Sequence, residues 1–474
     1  MFSGLKKPSL SPKTIGLILG LLTGVTVSLL PPPAGLTPGA MTVSGIFLSA
    51  IVLWIFSVFP MYITSFLMCA LWTATGAVDF TVAFGTFSTK TWWTVIGALG
   101  IGLAVHKSGL LRRVALLIMK IFPKGYRGQI LAMLCTGTMI SPMIPSSVAK
   151  MSIASPMSMS IGETMGLKKR SRPLAGLYCA TYIGYALTCP AFISASFISY
   201  IILGILPSTV AAEFDWIKWF VSMLPWLAVL VVGSYFFISR FYAPEEELAV
   251  SGKFIQEQLA GLGRMSGKEI KALGILAAAI VLWMTESFHG IPSAIVSMVI
   301  LCCYTMSGLL SEQEFCHDMN WGIIFFVGGV ASASSVFSAV GIDAWLVSVI
   351  GPYFSILSYN IYLLIFTFVS GIYLIRFILA EMTTAMILFT VLLAPVAVAA
   401  GINPWIIGII CYTSVYTWNT FYQNSNYLVA YVAAGGEEQI DYRQTFPASV
   451  AYMALNLIGL LVSVPFWTLL GYIH

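Results

Sequence analysis

Apolar positions along this chain gather into runs of about twenty residues, separated by short polar breaks. A helical run of that length crosses ~30 Å of hydrocarbon. Lipid offers the backbone no hydrogen-bond partner, so each run must satisfy itself as a helix. The runs lie near 14–30, 41–60, 61–78 and 92–106, then 174–206 and 219–240, and later 270–288, 291–309, 321–340, 404–432 and 447–473. Two further stretches, 129–165 and 360–400, are apolar but broken by Ser, Thr and Pro. The pattern predicts an all-α polytopic membrane protein with about 11 transmembrane helices.

Composition agrees, with 59% hydrophobic and 9% charged residues, where a soluble domain carries about 25% charged residues. The run from Thr14 to Leu30 ends in Pro31-Pro32-Pro33 without a small-x-small cleavage site, and reads as a membrane helix and not a signal peptide. The formal charge of +5 becomes informative once placed. Basic residues cluster at Lys6, Lys7 and Lys13, at Lys107–Arg127, at Lys168–Arg172 and at Arg264–Lys271. One count of crossings puts all four clusters on the cytoplasmic side, as the positive-inside rule favours. It requires 129–165 and 360–400 to enter and leave on one side as re-entrant hairpins, and leaves His474 outside. The chain is expected in a cell (inner) membrane with a cytoplasmic N-terminus, and Lys107–Arg127 as a surface helix. No basic stripe on a soluble face suggests nucleic acid. The eight cysteines form no CxxC, and no HExxH or GxSxG stands in a supporting context, so neither a metal site nor an enzyme is expected.

The chain also repeats itself. Ala50-Ile-Val-Leu-Trp54 recurs as Ala279-Ile-Val-Leu-Trp283, Trp92 matches Trp321, Gly109 matches Gly341, and Cys179 matches Cys411, all near one offset. This predicts a first helix in 1–40, repeat one in 41–240, a cytoplasmic linker in 241–268 and repeat two in 269–474. An odd number of crossings separates the copies, so they face opposite ways. Inverted repeats with interrupted helices belong to secondary transporters, with the substrate at the repeat interface.

Chemistry concentrates at the breaks. Pro142 and Pro145 interrupt the first hairpin, and Ser146-Ser147 offers a cap for the restart. A helix beginning at membrane depth aims N–H groups and positive dipole at its surroundings, which suits a carboxylate. The second hairpin offers Glu381-Met382-Thr383-Thr384. Two hydroxyl-bearing tips would clamp a two-ended anion. The candidate substrate residues are Ser146, Ser147, Val148 and Lys150 at the first tip, with Thr188 and Pro190 in the adjoining broken helix. In the second copy they are Thr383 and Thr384, with Thr420, Asn424 and Ser425 in its broken helix. Arg376 and Glu381 are candidates for gating or for an ion pair, since charges inside membrane segments are costly.

Pro145-Ser146-Ser147-Val148-Ala149-Lys150, Met382-Thr383-Thr384-Ala385 and the helix openings at Trp93 and Trp321 together resemble the divalent-anion/sodium symporter family. Within it they resemble the 2-oxoglutarate/malate and citrate/succinate exchanger branch, whose tips carry Ser-Asn-Thr. The resemblance covers essentially the whole chain. It implies an elevator transporter, a homodimer, and small carboxylate anions as substrates. Ser147, Val148 and Met382 depart from the pattern that shapes the family's sodium sites. The expectation is therefore sodium-independent exchange of di- or tricarboxylates with no cofactor. The alternative is sodium- or proton-coupled symport of divalent anions.

Overall fold

The computed structural model describes residues 11–473 apart from 247, 250–253, 378, 380 and 421–422. Lys6, Lys7 and His474, and part of the expected linker, lie outside the described residues. All regular structure among the described residues is helical. α1 (Pro12–Leu29) stands before two runs of nine helices. The first run is α2 (Pro38–Ile55), α3 (Met61–Ala74), α4 (Lys90–Lys107), α5 (Leu110–Met119), α6 (Tyr126–Ile140), α7 (Ser147–Thr164), α8 (Arg172–Tyr182), α9 (Phe197–Ile205) and α10 (Trp216–Phe241). After a short linker helix, α11 (Phe254–Gly261), come α12 (Gly267–Met284), α13 (Ser293–Met306), α14 (Trp321–Ala339), α15 (Ile342–Ser358), α16 (Ile361–Ile375), α17 (Met382–Ala399), α18 (Pro404–Ser414), α19 (Ser425–Ala433) and α20 (Phe446–Leu469). Four-residue helices and 3₁₀ turns fill several connections.

Corresponding helices of the two runs begin between 228 residues apart (Phe197 to Ser425) and 235 apart (Ser147 to Met382). Contacts repeat in the same sense: α4 packs on α13 and α14 on α3, while α10 packs on its own counterpart α20. Helix starts follow local chemistry. α1, α2, α8 and α18 each begin with Pro in the first turn behind a Ser, Thr or Asn cap. There the missing N–H costs nothing and the fixed φ is already helical.

Among the described residues, six helices have at least 18 residues and are apolar enough to cross a membrane unaided, whereas α3, α13, α16 and α18 have 10–17. α4 and α5 meet at a 73° bend. Close helix approach depends on small residues. A Cβ at Gly97 of α4 would fall 2.5 Å from Ser297 of α13, and one at Gly329 of α14 would fall 2.8 Å from Ser65 of α3. Without water to drive association, such contacts give membrane helices their dispersion energy.

Each broken helix is clasped by the hairpin of its own half. α6 and α7 both pack on α8, and α16 and α17 both pack on α18. The halves then interlock, because α7 also packs on α19 and α17 on α9. This brings both tips and both breaks together.

Candidate functional site

The first tip forms because two prolines cannot continue α6. After Ile140 the chain makes one 3₁₀ turn at Ser141–Met143 and passes Pro145. It re-enters helix at Ser147, with the Ser146 hydroxyl accepting the Ala149 N–H at 3.2 Å. The second tip follows Ile375 and restarts at Met382, where the Glu381 carboxylate accepts the Thr384 N–H. In the first broken helix a π turn at Ile183–Leu187 and Pro190 end the helical path, and Ser196 caps α9. In the second, Asn424 caps α19, its Oδ1 accepting the Tyr427 N–H at 3.0 Å and its Nδ2 donating to the Tyr416 carbonyl at 3.1 Å.

Four helix N-termini (α7, α9, α17 and α19) therefore face one cavity of about 470 Å³. Ser146, Ser147, Val148, Ser196, Glu381, Thr383 and Ser425 line one side. Gly102 and His106 of α4, and Asn320 and Phe326 at and within α14, line the other. A Cβ at Gly102 would lie 2.5 Å from Pro145 Cδ, so only glycine lets the first tip rest on α4. The N–H groups at the starts of α7, α9 and α19 add positive potential to this cavity, while the Glu381 carboxylate offsets it at the start of α17.

The remaining candidates sit behind the lining. Lys150 is fully buried, and its ammonium contacts Cys189 Sγ at 2.9 Å, the Ala195 carbonyl at 3.4 Å and Ser141 Oγ at 3.5 Å. Arg376 is likewise buried and donates to the Leu379 carbonyl at 2.6 Å and to the Gln423 carbonyl. Ala195 and Gln423 immediately precede the capping residues Ser196 and Asn424. Each half thus places a buried cation on the carbonyl that leads into the second segment of its broken helix. Thr188 donates to the Gly184 carbonyl at 2.6 Å, and the Pro190 carbonyl accepts Trp219 Nε1 at 2.9 Å. The hydroxyls of Thr384 and Thr420 are buried without a hydrogen-bond partner among the described residues.

Ser196 and Asn320 are cavity residues that the sequence reading did not single out, and His106, expected to be interfacial at a span end, also lines the cavity. Ser196 had a signal, since it lies 228 residues before Asn424 at the same point of the repeat. At the edge of the cavity Lys107 pairs with Asp318, a lining residue, and with Glu314 at 2.8 Å. The Lys107 ammonium beside it, aided by Ser311, pulls the Glu314 carboxyl down to about 2.

A family model described as the sodium:sulfate symporter transmembrane region matches residues 11–473. Among curated proteins, a putative malate transporter, YflS of Bacillus subtilis, is 22% identical over 70% of this chain and 71% of its own length. The inner membrane protein YbhI of Escherichia coli is 24% identical over 70% and 72%. The L-tartrate/succinate antiporter of Escherichia coli is 22% identical over 68% and 66%. Among solved structures, the Alcanivorax borkumensis YdaH transporter superposes with a TM-score of 0.58 at 13% identity, covering 98% of this chain and 99% of that one. That likeness concerns the fold: an all-helical polytopic membrane protein, as the apolar runs predict.

Proposed function

The chain belongs to the sodium:sulfate symporter transmembrane family, and we propose that it is a secondary transporter, not an enzyme, that exchanges di- or tricarboxylate anions without sodium. One observation carries this reading: four helix N-termini converge on one cavity, with Lys150 and Arg376 buried behind the two breaks. Helix starts bind carboxylates through N–H groups and dipole. Lys150, buried behind the first tip, supplies a fixed positive charge for the substrate to balance. Relatives described as a malate transporter and an L-tartrate/succinate antiporter indicate the substrate class.

The elevator reading has structural support. A second cavity of about 1080 Å³ lies at the opposite ends of α4 and α14, lined by Lys90, Thr94 and Ser338. Sliding the tips and broken helices along the faces of α4 and α14 that line both cavities would carry the substrate from one cavity to the other. With the basic loops cytoplasmic, the tips of this conformer open inward. The homodimer remains an implication of the family resemblance.

Differential thermal stabilisation tests the substrate class. Succinate, malate, tartrate or citrate should raise the melting temperature of the purified protein more than sulfate does. Stabilisation by sulfate alone would overturn the carboxylate reading. One observation favours the coupled alternative. Among the described residues, the side-chain oxygens of Thr384, Thr417, Asn419 and Thr420 are buried without hydrogen-bond partners around the second break, and hard cations take such oxygens. Sodium-dependent stabilisation would select it.

A further inference from the structure

The two hairpin tips are built alike but capped differently. Ser146 and Glu381 hold the same place, each directly before its helix start at Ser147 and Met382. Ser146 is a neutral cap, and the α7 terminus is open to an incoming anion. At α17 the chain already supplies the anion, because the half-buried Glu381 carboxylate takes the Thr384 N–H and lines the cavity. The cations behind the tips differ correspondingly. Lys150 has no Asp or Glu within ion-pair distance among the described residues, whereas Arg376 lies within electrostatic reach of Glu381. The first tip thus carries an unspent positive charge, and the second is already balanced.

We propose that Glu381 is the charge-selecting residue of the cavity, so that the chain takes its substrate as a monoanion. An ionised carboxylate sits on the first tip, and an uncharged polar end, a hydroxyl or a protonated carboxyl, sits on the second. Two carboxylates at hydrogen-bond distance do not both ionise. A protonated carboxyl or a hydroxyl instead donates a charge-assisted hydrogen bond to Glu381. The proton travels with the substrate, and exchange of one monoanion for another moves no net charge. The proposal rests on the carboxylate-exchange reading and narrows it to diacids, hydroxy diacids included, carried with one net negative charge.

Among the described residues, the titratable groups that share the cavity with Glu381 are His106 from α4 and Asp318 with its partner Lys107, and Arg376 on its own tip lies within electrostatic reach of it. Lys107 also holds the Glu314 carboxyl at about 2, outside any working pH range. Histidine titrates near neutrality, so His106→Gln is the control.

The test measures labelled succinate uptake into liposomes preloaded with unlabelled succinate, at about pH 5.5 and about pH 7.5, for the wild type, E381Q and H106Q. The monoanion fraction falls roughly tenfold per pH unit above the second ionisation of the acid. The wild-type half-saturating total succinate concentration should therefore rise by about tenfold or more. In E381Q the rise should shrink to about threefold or less, and in H106Q it should persist. Unchanged pH dependence in E381Q, or its loss in H106Q, overturns the proposal. A wild type that exchanges equally well at both pH values also overturns it, even if E381Q does not fold. A wild type that exchanges no carboxylate at either pH overturns the underlying transport reading instead.

Discussion

Replacing Lys150 by methionine removes a buried charge while nearly keeping the side-chain volume. In the native chain the Lys150 ammonium is fully buried and its recorded partners are Ser141, Cys189 and the Ala195 carbonyl, all uncharged. Burying a cation this way costs several kcal/mol unless something compensates. A carboxylate bound at the first tip would be that compensation. Ser147 Oγ, which lines the cavity, and Lys150 Nζ both contact Cys189 Sγ, at 3.4 and 2.9 Å. A carboxylate hydrogen-bonded to Ser147 thus lies within about 9 Å of Nζ. At an effective dielectric near 20 that attraction is about 2 kcal/mol, or roughly twentyfold in Kd. Calorimetry or thermal-shift titration with succinate should therefore show Lys150→Met binding roughly twentyfold weaker. Its melting temperature without ligand should be equal or higher. Unchanged affinity, or lost affinity accompanied by unfolding, would refute this account of Lys150.

Two further substitutions probe the first tip. Ser146→Ala removes the cap of α7 and should cost about 1 kcal/mol, seen as a lower melting temperature together with a raised half-saturating substrate concentration. Gly102→Val places a Cβ where Pro145 Cδ now lies at 2.5 Å. It should displace the tip from α4 and suppress exchange while the purified protein keeps its helical circular dichroism.

Much of the architecture was legible because membrane helices declare themselves by length and polarity. Ala50–Trp54 and Ala279–Trp283 lie in α2 and α12 at the expected offset, and the broken stretches 129–165 and 360–400 became α6–α7 and α16–α17. The first tip was legible because Pro142 and Pro145 forbid a continuous helix, and the second because it lies at the matching point of the repeat. Direction around a tip was not. Ser147 and Lys150 both belong to the first turn of α7, yet Ser147 lines the cavity while Lys150 is fully buried behind it. The role of Glu381 depends on its cap geometry, which residue spacing alone does not fix; the sequence reading could equally pair it with Arg376. Ser196 was hidden by its apolar neighbours Ala195 and Phe197, and His106 by its position at a span end, where a histidine is usually interfacial.

The most direct test of the central claim is counterflow with and without sodium. Labelled succinate or malate should enter liposomes only when they contain an exchangeable carboxylate, at the same rate when choline replaces sodium. Uptake that requires sodium and proceeds into liposomes empty of carboxylate would contradict the exchange account.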